Sequence, residues 1–328
     1  MVENLIEDKK LLKSKFLGAL VGTAVGDALG MPFEGYDPKY IQSRYGEVKD
    51  MFPGKLPAGS YTDDTEMMIG VAESLIENCG FNGEHMAKTF IKNFNSSRGY
   101  GFGVQIVLKL ISEGESWENA AENLFGGIGS YGNGAAMRIA PVSIFYYDNF
   151  DELIKIAVKT AKITHTHPLG VEGAVLQAYA IALALNQHPL KNLNIENFLQ
   201  SLQNLAKSET YKNKIKKIKV LLNKKTSKWE VIFLLGNGIE AFNSVPTAIY
   251  SFLANHKNFE DAVTYAVNLG VDTDTIGAMT GAISGAYHGF EAIPKKWLNK
   301  LENLNHIKNL AEKIWEIKTT QTQPKPNI

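Results

Sequence analysis

Gly18-Ala-Leu-Val-Gly22-Thr-Ala-Val-Gly26-Asp-Ala-Leu-Gly30 carries a glycine at every fourth position, and Gly277-Ala-Met-Thr-Gly281-Ala-Ile-Ser-Gly285-Ala-Tyr-His-Gly289 repeats the pattern near the other end of the chain. A glycine in a helix interior costs about 1 kcal/mol relative to alanine, so four on one stripe need a compensating contact. Residues four apart lie on one helix row, and a row without side chains lets another backbone approach closely. The two stretches therefore predict two central helices, packed near each other or against a shared neighbour. Membrane helices dimerise through similar spacing, but Asp27 and the short apolar length argue against that use.

Outward from these two helices, apolar residues recur three and four apart almost throughout, and alternating strand-like stretches are scarce. The spacing predicts helices near 12–30, 64–78, 83–95, 102–113, 117–124, 134–145, 150–164, 169–187, 195–206, 210–223, 228–235, 239–254, 259–269, 275–288 and 297–316. The chain is expected to be all-α. No Pro/Gly/Ser-rich linker divides it, so 1–318 is expected to form a single domain. The polar stretch from Thr319 to Ile328 is expected to be a disordered tail.

Composition narrows the function. Of 328 residues 45% are hydrophobic, enough for a sizeable core. Lys+Arg and Asp+Glu total 34 each, so no net field draws in nucleic acid or an anionic membrane. The single cysteine, Cys79, excludes a disulfide framework. It falls in an apolar helical pattern with no His beside it, so it is expected to pack structurally rather than react. Met1 to Lys10 lacks a signal-peptide pattern, and no apolar run reaches about 18 residues. A cytoplasmic protein with no membrane partner is expected. The lysine-rich stretch Lys207–Lys228 places Ile215, Ile218, Val220, Leu221 and Leu222 near helical spacing. It reads either as the solvated face of an amphipathic helix or as a docking surface.

Acidic residues flank both glycine helices. Met31-Pro-Phe-Glu34-Gly follows the first, and Gly270-Val-Asp272-Thr-Asp274-Thr275 enters the second. A third segment, Tyr61-Thr62-Asp63-Asp64-Thr65-Glu66, enters another helix. The two helix-entering segments, Thr62–Glu66 and Asp272–Thr275, each alone read as helix capping, with carboxylates on the positive end of the dipole. If the segments converge, Glu34, Asp63, Asp64, Asp272 and Asp274 share one site. Away from water so many like charges would protonate unless cations neutralise them. Two divalent cations would leave about one negative charge, and oxygen-only ligands favour Mg²⁺ or Mn²⁺ over Zn²⁺.

These segments resemble the ADP-ribosylglycohydrolase superfamily. They do so together with Gly26-Asp27, Gly129-Ser-Tyr-Gly-Asn-Gly134-Ala-Ala-Met-Arg138, Arg98-Gly-Tyr-Gly101, Leu235-Gly-Asn-Gly-Ile239 and Ser244-Val-Pro-Thr-Ala-Ile-Tyr250. The likeness is strongest to its (ADP-ribosyl)hydrolase 3 branch and runs from about residue 15 to 298. It implies an all-α, single compact multi-helix orthogonal bundle holding two Mg²⁺, with Mn²⁺ as an alternative. The ligands it implies are Glu34, Thr62, Asp63, Asp64, Asp272, Asp274 and Thr275, with Glu34 on a mobile flap. The branch hydrolyses serine-linked ADP-ribose, and also attacks poly(ADP-ribose) and O-acetyl-ADP-ribose.

The run Phe125-Gly-Gly-Ile-Gly129-Ser-Tyr-Gly-Asn-Gly134 offers backbone N–H groups and a helix start, which suit a pyrophosphate. It is not a Walker loop, since no Gly-Lys-Ser/Thr follows, and a plain helix-entry turn is the other reading. The resemblance implies phosphate contacts from Gly129, Ser130 and Tyr131, and Asn133 toward the ribose. It also implies Gly99 beside the substrate ribose, and Phe125 and Tyr131 as aromatic faces for adenine with Ile239 nearby. It further implies His165 against ADP-ribose. His165-Thr-His167 lacks companion ligands for zinc, and His167 receives no role. The expected chemistry is hydrolysis at ribose C1″, with Glu34 and Asp272 as the acid–base candidates. The expected partners are an ADP-ribosylated protein or peptide and the product ADP-ribose, with the enzyme a monomer. An arginine-specific hydrolase of the same fold is the alternative. A non-catalytic ADP-ribose reader or crystallin-like structural protein is the alternative of another class.

Overall fold

A computed structural model describes residues 2–321, with side chains from 8 to 320. In chain order the helices are α1 (Val2–Gly30), α2 (Pro38–Tyr45), α3 (Asp63–Glu77), α4 (Gly83–Asn93), α5 (Phe102–Ser112), α6 (Leu124–Gly127), α7 (Gly134–Met137), α8 (Ala140–Phe145) and α9 (Phe150–Lys162). They continue as α10 (Pro168–Leu185), α11 (Ile195–Leu205), α12 (Glu209–Leu222), α13 (Lys228–Leu235), α14 (Ala241–Ala254), α15 (Phe259–Val267), α16 (Thr273–His288), α17 (Lys295–Leu298) and α18 (Leu304–Gln321). Among the described residues there is no strand, and an isolated bridge between Gly132 and Glu240 is the nearest approach to one. The fold is all-α.

The glycine helices α1 and α16 pack directly on each other, antiparallel. A Cβ at Gly277 would stand 2.5 Å from the carbonyl oxygen of Gly26. Cβ atoms at Gly18, Gly22, Gly26 and Gly30 would collide still more closely with the backbone oxygens of Gly285, Gly281, Gly277 and Thr273. Bare backbone therefore meets bare backbone along more than three turns. Around this seam the remaining helices bury one large apolar core, and a small satellite of Val107, Ala120, Ala121 and Leu124 lies beside it.

Several expectations are corrected. Residues 117–123 form turns rather than a helix, and the reading of 134–145 as one helix fails at Arg138–Ile139. Pro141 explains the break: it has no N–H to bond back one turn. The predicted helix 297–316 is interrupted between Leu298 and Leu304, where Asn303 turns left-handed. α2 was not expected, although Asp37 caps it, accepting from the Lys39 N–H, with Pro38 at its first position. Cys79 does not pack inside a helix. It lies exposed just past α3, with φ +48°. α18 runs on to Gln321, and residues 322–328 of the expected tail lie outside the described residues.

Among the described residues two segments prove long and apolar enough to cross a membrane, Asp8–Phe33 and Pro168–Leu185, but 94% and 72% of their most apolar stretches are buried inside the protein. Their apolarity serves the core. In α12 the buried residues are Tyr211, Ile215, Ile218 and Leu221, while Val220 is exposed among the lysines.

Candidate active site

Because α1 and α16 are antiparallel, the end of one meets the start of the other. The Thr273 hydroxyl donates to the Gly30 carbonyl at 2.8 Å. The Gly35 N–H donates to Val271 O at 2.7 Å, and the Val271 N–H to Tyr36 O at 2.8 Å. Glu34 and Asp272, remote in sequence, become neighbours through this stitching.

Asp27, fully buried on α1, draws in the third acidic segment. Its Oδ1 accepts from the Thr62 N–H at 2.9 Å and the Thr62 hydroxyl at 2.9 Å. Its Oδ2 accepts from the Thr65 N–H at 3.0 Å and the Thr65 hydroxyl at 2.6 Å. The start of α3 is thereby held against α1. Two helix N-termini, those of α3 and α16, then face one region, and their dipoles favour negative charge there.

Glu34, Asp63, Asp64, Asp272, Asp274 and Thr275 line one cavity of about 320 Å³. Thr62 does not line it, but lies directly behind, with its hydroxyl 3.1 Å from Asp64 Oδ2. Asp272 is the N-cap residue of α16 yet makes no side-chain cap bond. Its carboxylate instead accepts from the Asn133 amide at 2.5 Å. Asp272 is therefore not a capping side chain, whereas Asp274 does stand in the first turn of α16.

The electrostatics record the crowding. Burial pushes Asp63 up to about 8, with Asp27 adding to the shift. Burial also pushes Asp27 and Asp272 up to about 6, and raises Asp64 and Asp274 well above the carboxylate range. Asp64 Oδ1 is buried with no hydrogen-bond partner. Lys55 supplies a counter-charge: its ammonium bonds to Glu34 Oε2, and it is further drawn by Asp274 and Asp63. As the side chains stand, no three His, Cys, Asp or Glu groups among the described residues form a ready metal cage. The donors within reach of one another include threonine hydroxyls as well as carboxylates, with Thr275 Oγ1 3.5 Å from Asp64 Oδ2.

Of the sequence-predicted substrate residues, Gly99, Phe125, Ser130, Asn133, His165 and Ile239 line the same cavity. Gly129 and Tyr131 do not. Gly129 packs against the Thr166–His167 backbone, and the Tyr131 ring meets His167 edge-on at 5.4 Å and Phe242 at 6.0 Å. His167 caps α10, accepting from the Leu169 N–H at 3.1 Å. The short turn of α6 is not a right-handed helix inside, since Phe125, Gly126 and Gly127 form a left-handed run that continues into the loop to Gly129. It is pinned further on, where the Asn133 N–H donates to Ile239 O and the Ala241 N–H to Tyr131 O. Gly99, at φ +94°, leaves open the space where a Cβ would stand 2.7 Å from Lys55 Nζ.

Sequence reasoning missed several residues that shape the site. Asp27 had a signal: it is an acidic residue inside a glycine–alanine helix. Arg98 pairs with Glu302 at 2.7 Å and donates to Tyr61 O at 2.7 Å, fixing the turn that carries Gly99. Ser244 accepts from Asn133 at 2.9 Å. Arg98 and Ser244 stand in segments already singled out, but their partners are set by tertiary structure alone.

The sequence profile of ADP-ribosylglycohydrolase matches residues 8–324. The ADP-ribosylhydrolase ARH3 of Xenopus tropicalis is 36% identical, over 93% of this chain and 95% of its own length. The ADP-ribosylarginine hydrolase Tri1 of Serratia proteamaculans is 29% identical, over 94% of this chain and 80% of its own. A solved structure titled ADP-ribosylglycohydrolase-related protein complex superposes with a TM-score of 0.75 at 27% identity, covering 94% of this chain and 99% of that one. A profile spanning nearly the whole chain, and an acidic cavity built where its two ends meet, make this protein a member of the ADP-ribosylglycohydrolase family of enzymes.

Proposed function

We propose that the protein is a metal-dependent hydrolase cleaving the O-glycosidic bond between ADP-ribose C1″ and a protein serine. Poly(ADP-ribose) and O-acetyl-ADP-ribose are further candidate substrates. One observation carries the reading: five carboxylates crowd one cavity whose lining also holds the glycine loop and His165. Such charge is costly to bury unless cations neutralise it, and Asp64 Oδ1 is buried without any partner. Oxygen-only donors suit two Mg²⁺, or Mn²⁺. Glu34, Thr62, Asp63, Asp64, Asp272, Asp274 and Thr275 would hold them. When bound, such ions supply Lewis-acid polarisation and a more acidic water.

The chain's own groups account for the rest. Asn133, anchored by Ser244, holds Asp272 in one orientation. Glu34 is half exposed and Asp272 buried, so the two carboxylates stand in different environments, as an acid–base pair requires. Phe125 and Ile239 are exposed where they line the cavity and offer an apolar face to adenine. The similarity to ARH3 supports the serine linkage, and the more distant likeness to Tri1 keeps the arginine linkage as the second reading.

The test is release of ADP-ribose from serine-linked and arginine-linked peptides side by side, with and without chelator, and for Asp63→Asn and Asp274→Asn. Serine-linked release is expected, with chelator or either substitution lowering it at least about a hundredfold. Full activity under chelation would remove the metals. Release from arginine alone would move the protein to the second reading. Tight ADP-ribose binding without turnover would make it a reader.

A further inference from the structure

Behind the cavity wall lies a buried cation. Arg138 is fully buried, and among the described residues its hydrogen bonds go to no carboxylate, Asp63 acting on it only as a more distant charge. Its guanidinium sits over the Phe90 ring at 4.8 Å, and Nη1 points at Met67 Sδ, 3.6 Å away. Nη2 donates to Thr160 O at 3.2 Å and to the Thr164 hydroxyl at 2.8 Å. That hydroxyl lies 2.7 Å from His165 Nδ1. His165 lines the cavity, and its Nε2 edge faces the glycine loop, 3.1 Å from where a Cβ on Gly134 would stand. Three side chains thus form a line from a buried charge to the cavity.

Donor counting sets the direction of this line. Arginine only donates, so the Thr164 oxygen accepts from Arg138 and its own hydrogen is free to donate. His165 Nδ1 is the acceptor within reach, so the ring proton belongs on Nε2. The opposite tautomer would aim two donors at one oxygen and leave the hydroxyl hydrogen without an acceptor in a buried place, at a cost.

We propose that Arg138 and Thr164 are positioning residues which lock His165 as the Nε2–H tautomer, so that it presents a hydrogen-bond donor to an oxygen of the bound ADP-ribose. Burial and the Arg138 charge also hold His165 down at about 3, so the ring is neutral at physiological pH. A neutral ring has one donor, and which nitrogen carries it decides whether the cavity meets a donor or a lone pair. Against a phosphate oxygen, which only accepts, a lone pair would repel. The donor role rests on the reading that this cavity takes ADP-ribose; the tautomer does not.

The experiment has two arms. In ¹⁵N-labelled, ligand-free protein, long-range imidazole spectra report which His165 nitrogen carries the proton. Calorimetry reports ADP-ribose affinity. Both are applied to wild type, Thr164→Val and Thr164→Ser. Wild type and Thr164→Ser are expected to show a single Nε2–H form and the same affinity. Thr164→Val is expected to lose the tautomer preference and to bind ADP-ribose about tenfold more weakly. A wild-type ring protonated on Nδ1 overturns the relay, as does Thr164→Val with unchanged tautomer and affinity. If Thr164→Val does not fold, the wild-type spectrum and the serine rescue still decide. An Nε2–H ring in a protein that binds no ADP-ribose upholds the relay and overturns the ligand.

Discussion

Burying a carboxylate in a helix of glycine and alanine is costly, and Asp27 offsets that cost with donors from two threonines, each giving an N–H and a hydroxyl. The same bonds fix where α3 begins, and so where Asp63 and Asp64 stand. Asp27→Asn keeps the shape but aims an amide NH₂ at existing donors. The expected loss is roughly 2–4 kcal/mol of stability in urea unfolding, with weaker Mg²⁺ binding by calorimetry. An unchanged midpoint would show that the carboxylate charge is not needed there. Nothing in the residue pattern named Thr62 and Thr65 as the partners of Asp27; only the packing of α3 on α1 reveals them.

Between α1 and α16, helix propensity and packing make opposite predictions. Propensity alone says that Gly281→Ala should stabilise by about 1 kcal/mol. The added methyl would collide with the Gly22 carbonyl, in a seam with no flexible side chain to yield. Overpacking typically costs about 1–3 kcal/mol or more, so a net loss in thermal stability is expected. A gain in Tm would show that the seam has slack. This seam was legible because glycine at four-residue spacing is too costly to be incidental. The break at Arg138–Ile139 had a signal in Pro141 that the apolar spacing, running straight across, concealed, and the break after Leu298 was not legible from that spacing. The acidic segments at Asp63 and Asp272 were legible as helix entries. That Gly129 and Tyr131 are not among the residues lining the cavity was not, since residue spacing does not show the left-handed run at Phe125, Gly126 and Gly127.

For the whole molecule, the acidic cavity links folding to pH and, under the proposed metal-dependent function, to cations. In the metal-free protein, Asp63 at about 8 and Asp272 at about 6 hold protons that the unfolded chain, with aspartates near 3.8, has released. Their contribution to stability is fully present below the unfolded value and is lost as pH rises through about 6 and then about 8. Cations need those groups deprotonated. The rise in Tm on adding Mg²⁺ is therefore expected to be larger at pH 8.5 than at pH 6, and an equal rise at both would contradict the link. The seam has a further consequence during synthesis. α1 leaves the ribosome before its partner α16, which lies about 250 residues later, a delay on the order of 12–50 s at usual translation speeds. For that interval the glycine face of a long apolar helix lacks its main partner, which makes the nascent chain a natural client for holding chaperones.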